Sequence, residues 1–400
     1  MRYNLAEDLS PEKWDLVKRV ALLASEKFAA RAGDYDRAAE FPAADFRDLF
    51  NAGLNAATIP KAQGGLGLGP FSDDVFTLWM MTKEIAKVDL SMARCWEGHV
   101  NSMCLLEGCA SETQKRRWFE GVVNRGDIWV TWSGEPQAMT PGQKSPYGTH
   151  LRQVDGGYRI KGSKVFSSSA TGADWAILLI NTAGPGGARH AKVGAKVVML
   201  ACPLSDSSVE FDDSWWDPIG MRGTVSHLVR FNDTFIPEAN AIGYRGQYLE
   251  EGWQSCFTPQ YAASFLGAAD GAYDYTVEYL VAQGKTSDPY IQHHVGEMSI
   301  NVETGQLWLR YVAQLWETGQ VKAARIAGAR ARYIVEQLAE ATVKHAIQAC
   351  GARSLNRPCP LERIYRDLSF YVRHDNADHI LAMIGSSVLS IEHDISFFNR

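Results

Sequence analysis

The most reactive set of side chains in this 400-residue chain is compact: Arg373-His374-Asp375-Asn376, near the C-terminus. An imidazole can donate or accept a hydrogen bond near neutral pH, and a carboxylate removes protons better once burial raises its pKa. The same stretch also suits a plainer task, since Asp375 or Asn376 could cap a following helix. His99, within Trp96-Glu97-Gly98-His99-Val100-Asn101, is a second candidate, either lining a cavity or packed as a structural helix histidine. The ten histidines show no HxxxH or HExxH spacing, so no metal site is expected. Seven cysteines, none in a CxxC pair, read as reduced thiols rather than a disulfide framework.

The elements that must position these groups change character twice along the chain. From about Ser10 to Gly126 the period is helical. Ser10-Pro11-Glu12 and Ser111-Glu112 are helix starts, and Asn124-Arg125-Gly126 is a helix end. A glycine-rich loop, Gly64-Gly65-Leu66-Gly67, lies between them. From Asp127 to Pro237 the period falls to two. Ile128 to Trp132, Trp175 to Ile180, Val197 to Ala201 and Leu228 to Phe231 read as strands, Gly157 to Phe166 as two strands across a Gly-Ser turn, and Gly184-Pro185-Gly186-Gly187 as a loop. After Gly252 the helical period returns, with long helices expected over Ser299 to Gly319, Val321 to Cys350 and Ala377 to Ile391. Ala323, Ala324, Ala327, Gly328 and Ala329 allow close helix approach. The expected units are a helical domain (1–126), a β-domain (127–240) and a helical bundle (241–400).

The hydrophobic fraction of 46% and charged fraction of 22% are those of a globular protein. A net charge of −6 supplies no electrostatic reason to bind nucleic acid or an anionic membrane. No apolar run approaches the ~20 residues of a membrane span. Met1 to Trp14 is polar and acidic, without a signal-peptide core, so a cytoplasmic location is expected.

The order helices, β-domain, helices resembles the acyl-CoA dehydrogenase superfamily over essentially the whole chain. Five stretches carry the likeness: Ile59-Pro60 with Gly64 to Gly67; Lys161 to Ser169 followed by Ala173-Asp174-Trp175; Trp216 to Thr224 with Phe235 to Glu238; Gln348 to Arg353; and Leu361 to Asp367. The resemblance implies a mainly α fold with a central β-barrel or sandwich and a C-terminal four-helix bundle. It also implies a flavin, FAD with FMN as the alternative. The flavin edge would meet Val130, Thr131, Ser133, Phe166 and Ser168, with Phe166 walling the ring and Ser168 bonding its polar edge. Gln348, Gly351 and Ala352 would support the dinucleotide half held by a neighbouring subunit, which implies a homo-oligomer, dimer or tetramer. The family's arginine near the pyrophosphate is missing from Val281 to Thr286, where Lys285 is the available charge.

In most members of the family the base is a glutamate a few residues past the Arg-Asp pair. Counting from Arg366-Asp367, that position is Asp375. Flavin monooxygenases on this fold, resembling dibenzothiophene monooxygenases, instead carry a His-Asp pair here, and His374-Asp375 fits that pattern. His99 could line the same cavity. Cys256 to Tyr261 lacks the family's thioester-side arginine, and Glu135 to Pro141 replaces its usual loop, which argues against a standard fatty acyl-CoA substrate. Trp132, Phe257 and Tyr261 could face a ring-bearing substrate or be core. The resemblance therefore implies a two-component monooxygenase fed by a separate flavin reductase. The alternatives are an acyl-CoA dehydrogenase with Asp375 as base and an electron-transfer flavoprotein as acceptor, a nitroalkane-oxidase-like enzyme, or an inactive binding relative.

Overall fold

The computed structural model describes residues 9–72, 74–136, 149–181, 197–374 and 376–391. Its helical first part comprises α1 (Pro11–Leu23), α2 (Ala29–Ala38), α3 (Ala43–Asn51), α4 (Val75–Val88), α5 (Leu90–Cys109) and α6 (Glu112–Arg125). Local chemistry sets several ends. Ser111 and Gln114 exchange bonds in a capping box that opens α6, and Gly126 closes it at φ 79°. Asp89 opens α5 by accepting from the Met92 N–H. Both α4 and α5 are buried almost all round, polar positions such as Lys83 and Glu97 included.

Eight strands follow: β1 (Trp129–Trp132), β2 (His150–Val154), β3 (Gly157–Ser167), β4 (Trp175–Asn181), β5 (Val197–Pro203), β6 (Val209–Asp212), β7 (His227–Pro237) and β8 (Ala241–Ile242). They form two four-stranded sheets, ordered β1-β4-β5-β8 and β2-β3-β7-β6. Their inner faces share one core that includes Val130, Trp132, Leu178, Leu200, Val229 and Phe231, which makes the unit a sandwich. Gly157 to Phe166 is one strand, not the two expected. β7 pairs along its length, and Gly162, at φ 133°, absorbs a register shift next to Ile160 as a bulge instead of reversing the chain.

The last part holds α7 (Gln247–Glu250), α8 (Trp253–Ala282), α9 (Pro289–Glu317), α10 (Val321–Cys350), α11 (Pro360–Tyr371) and α12 (Ala377–Val388). Helix α9 begins ten residues before the expected Ser299, at Pro289, because Asp288 caps the Tyr290 N–H and proline fits the first turn. Pro259 sits inside α8. A Cβ on Gly328 of α10 would lie 2.9 Å from the Pro259 ring, so the small-residue run lets α10 close onto α8. No helix of the described residues is long and apolar enough to cross a membrane.

The chain order is tripartite, but the two large cores divide differently. One continuous core joins α1, α4 and α5 to α8, α9, α10 and α11. The sandwich keeps its own. A charged junction pins the three parts at α11. Arg366 reaches both carboxylate oxygens of Asp36 on α2 (3.0 and 2.7 Å) and the Ile219 carbonyl (2.9 Å). Asp367 accepts from the Met221 N–H at 2.6 Å. Burial pushes the Asp367 carboxyl up to about 7, against the partial offset of Arg363.

A carboxyl raised in the folded state favours the protonated protein. Its contribution is complete below the ordinary carboxylate range and is lost as pH rises through about 7. Asp367→Asn keeps the acceptor for Met221 and cannot ionise. Thermal melts at pH 5 and pH 8 are expected to show a smaller drop across that interval for the variant than for the wild type. An equal drop would remove Asp367 from the account.

Candidate active site

The alternation of β1 decides which of its side chains can meet a ligand. Trp129 and Thr131 face α5, where Thr131 Oγ1 lies 2.9 Å from Ser102 Oγ. Val130 and Trp132 turn into the sandwich core. Trp132 is therefore separated from Phe257 and Tyr261, which lie in the helical core, and it does not line a pocket with them. Its indole N–H donates to the Ser168 carbonyl at 3.0 Å, so it supports the rim from beneath. Val130 can offer a ligand only its backbone.

The rim itself is open and polar. Ser133 and Phe166 are exposed, and Thr131 and Ser168 are half-buried. Ser168 Oγ closes a chain of hydroxyls, 3.0 Å from Ser226, which is 2.8 Å from Thr224, which donates to the Met221 carbonyl at 2.8 Å. That chain fixes the Ser168 rotamer and leaves its oxygen a further bond to make. Phe166 adopts φ 51° and is 59% exposed. A bulky residue held in the left-handed region and in water costs free energy twice over. Trp215 meets its ring edge-on at 4.9 Å and Trp216 at 6.2 Å. This strained aromatic edge, beside three hydroxyl-bearing positions, fits the flat, two-sided polarity of an isoalloxazine. Lys164 tightens the same corner from below, donating to Glu135 (2.9 Å) and to the Leu179 carbonyl (2.7 Å).

Gln348, Gly351 and Ala352 lie apart from this rim, at the C-terminal end of α10. Gly351 has φ 74°, and a Cβ there would meet nothing within 4 Å. Gln348 and Ala352 are exposed. Lys285 is close enough for its charge to lower the Cys350 thiol, although burial is the larger influence and raises it. A cation, a glycine turn and an exposed amide thus share one surface corner, consistent with a phosphate-bearing group arriving from outside this chain.

His99 is not free to do chemistry. It is fully buried; its Nδ1 accepts from the Trp129 N–H at 3.1 Å and its Nε2 meets the Asn55 carbonyl at 3.0 Å. Burial lowers its pKa to about 4, so the ring is neutral and carries its proton on Nε2. It ties the 52–58 loop and β1 to α5. This corrects the cavity-lining expectation, because both ring nitrogens are spent on backbone.

Asp375 lies outside the described residues. Its neighbour His374 is exposed and follows α11 through a short turn. Its ring lies 5.2 Å from Tyr261 and 5.9 Å from Tyr371. Tyr261 is therefore brought to His374, while Phe257, one turn earlier on α8, lies tilted against Trp253 at 6.1 Å. Beneath His374 is a polar cluster that the reading of the sequence passed over. Arg94 lies 5.9 Å from the Tyr261 ring and 6.0 Å from the Tyr371 ring. It pairs with Glu97 Oε1 at 3.0 Å. The Tyr371 hydroxyl also donates to Glu97 Oε1, and Ser264 donates to Oε2 at 2.8 Å. The signal available was a charged pair at i, i+3 inside an apolar helix, since such residues are rarely buried unless paired.

Two family models match the chain: acyl-CoA dehydrogenase, N-terminal domain, over residues 10–125, and acyl-CoA dehydrogenase, C-terminal domain, over residues 260–379. A dibenzothiophene monooxygenase of Mycolicibacterium goodii is 26% identical, with 95% of each chain aligned. A putative acyl-CoA dehydrogenase of Bacillus subtilis, YdbM, is 25% identical over 86% of this chain and 88% of its own. The solved FMN-bound TdsC of Paenibacillus sp. A11-2 superposes with a TM-score of 0.83 at 23% identity, covering 96% of this chain and all of that one.

Proposed function

The chain belongs to the acyl-CoA dehydrogenase superfamily, and from that membership we propose that it is a flavin-dependent monooxygenase acting on a small organic substrate. The observation that carries this reading is the seat of His374, against Tyr261 and Tyr371 and open to solvent. The relatives named as dibenzothiophene monooxygenases support it.

The residues divide the work as follows. Thr131, Ser133 and Ser168 offer hydroxyls to the polar edge of the flavin, and Phe166 walls its ring. When bound, reduced flavin would supply the two electrons that, with two protons, let O2 place one oxygen atom on the substrate and release the other as water. His374 would hold a ring N–H where a reacting oxygen needs a donor. Tyr261 and Tyr371 would seat the imidazole on its protein side. Electrons arrive through a separate flavin reductase, and the flavin is FMN or FAD. The Gln348–Ala352 corner with Lys285 serves a flavin bound across a homo-oligomer, dimer or tetramer, and the protein works in the cytoplasm.

The test is rapid mixing of anaerobically photoreduced, flavin-loaded protein with aerated buffer. A transient spectrum that is neither reduced nor oxidised flavin, persisting for seconds, is expected. Direct reoxidation without a transient, together with reduction of the flavin by an acyl-CoA, would replace this reading with dehydrogenation by Asp375. The putative acyl-CoA dehydrogenase among the relatives is the finding that favours that second reading.

A further inference from the structure

The cluster beneath His374 contains an unspent binding edge. Glu97 is fully buried and has three donors: Arg94 Nη1 and the Tyr371 hydroxyl on Oε1, and Ser264 on Oε2. Its lone pairs are well used. Arg94 is not used in the same measure. A guanidinium carries five N–H groups in a planar fork, and here one nitrogen, Nη1, bonds Glu97. Nε and Nη2 have no hydrogen-bond partner among the described residues, and they are not among the atoms sealed from solvent. The side chain is 15% exposed, so this edge borders open space.

The rest of the cluster holds that edge still. Tyr261 and Tyr371 flank the guanidinium, and both touch His374. The neighbouring residue, Cys95, is fully buried close to Ser169, and Ser169 adjoins the rim residue Ser168. Helix α5 thus touches the cluster beneath His374 through Arg94 and Glu97, and the segment next to the rim through Cys95. Leaving guanidinium donors unpaired in a largely desolvated place is costly. A bidentate oxyanion would satisfy both free nitrogens at once, with charge-assisted bonds. Glu97 does not forestall this. It balances the resting charge and fixes the fork, while Tyr371 and Ser264 donate to its two oxygens.

We propose that Arg94 is a specificity-determining residue that anchors a carboxylate or sulfinate on the substrate, so that the enzyme takes a small organic anion with an apolar or aromatic body lying against Tyr261 and Tyr371. This rests on the monooxygenase reading of the same site for its chemistry, but not for its binding step. A neutral hydrocarbon body without an acceptor would leave the Arg94 edge unpaired.

The experiment is titration of the flavin-loaded protein by calorimetry with benzoate, benzenesulfinate and neutral benzamide, before any turnover. At least one anion is expected to bind about tenfold or more tightly than benzamide, and which of the two leads identifies the oxyanion. Arg94→Met should close that gap, and Arg94→Lys should retain part of it. Because Arg94→Met leaves Glu97 uncompensated, the double variant Arg94→Met/Glu97→Gln is measured beside it and should also show no anion preference. Equal binding of all three ligands to the wild type overturns the proposal, as does an anion preference that survives in the folded double variant. The two readings fail separately. Anion preference without any oxygenated product would leave Arg94 in place and remove the monooxygenase. Oxygenation with no anion preference would do the reverse.

Discussion

His374→Ala is expected to lower the yield of oxygenated product per flavin oxidised by about 100-fold or more, the scale at which a positioned proton donor contributes. Oxygen consumption should continue. Without a donor at the reacting oxygen, the two electrons of reduced flavin and O2 leave as hydrogen peroxide, so peroxide should rise as product falls. The measurement is product and peroxide together, with reduced flavin supplied chemically so that no reductase step intervenes. His374 is exposed and follows the end of α11, so its loss should leave the thermal midpoint nearly unchanged. Asp375→Asn should give a weaker form of the same uncoupling, because the amide removes the charge beside His374 in the sequence and leaves the imidazole in place. Full yield of oxygenated product in His374→Ala would take the donor role away from His374.

The second large effect is expected at a residue that touches no ligand. Arg332 of α10 is fully buried. It pairs with Glu336 one turn on, lies 4.9 Å over the Phe265 ring, and donates to the Val372 carbonyl at 3.1 Å. Val372 is two residues before His374, so this arginine holds the end of α11 against the bundle. Arg332→Ala leaves the buried Glu336 carboxylate with only the longer contact to exposed Arg373 at 3.8 Å, and the expected loss is about 3–5 kcal/mol. It also frees the Val372 carbonyl, so the variant should uncouple oxygen from product as well as melt early. Arg332→Met/Glu336→Met removes both charges and fills the volume. It should recover most of the stability but not the coupling, since the tether to Val372 is still absent. Recovery of both would show that Arg332 acts only through its charge balance, and melts combined with product yields separate the two cases.

Much of the fold could be read from local chemistry. The switch from helical period to alternation near Asp127, the capping box at Ser111 and the glycine end of α6 all depend on neighbours within a few residues. The small-residue run of α10 announced close packing in the same way. Gly157 to Phe166 was misread because a glycine-serine pair has the composition of a turn, whereas a partner strand, β7, decides whether the chain reverses or bulges. In the sequence Trp132, Phe257 and Tyr261 are equivalent as candidate pocket aromatics. The pleat of β1 sent Trp132 into the sandwich, and the seat of α8 brought Tyr261 to His374.

The sequence by itself determined the family, the succession of helices, strands and helices, the hydroxyl-bearing stretches, and the His374-Asp375 pair, because each is written in contiguous residues. Only the tertiary structure decided that His99 is a structural tie, since its two partners lie 44 and 30 positions away along the chain. Only it merged the first helices and the last bundle into one core. And only it brought Arg94 and Glu97 to Ser264 and Tyr371, across 167 and 274 residues of chain. Burial and partnership set the protonation, orientation and availability of a polar group. Those are properties of what surrounds a side chain in space, and spacing along the chain does not carry them.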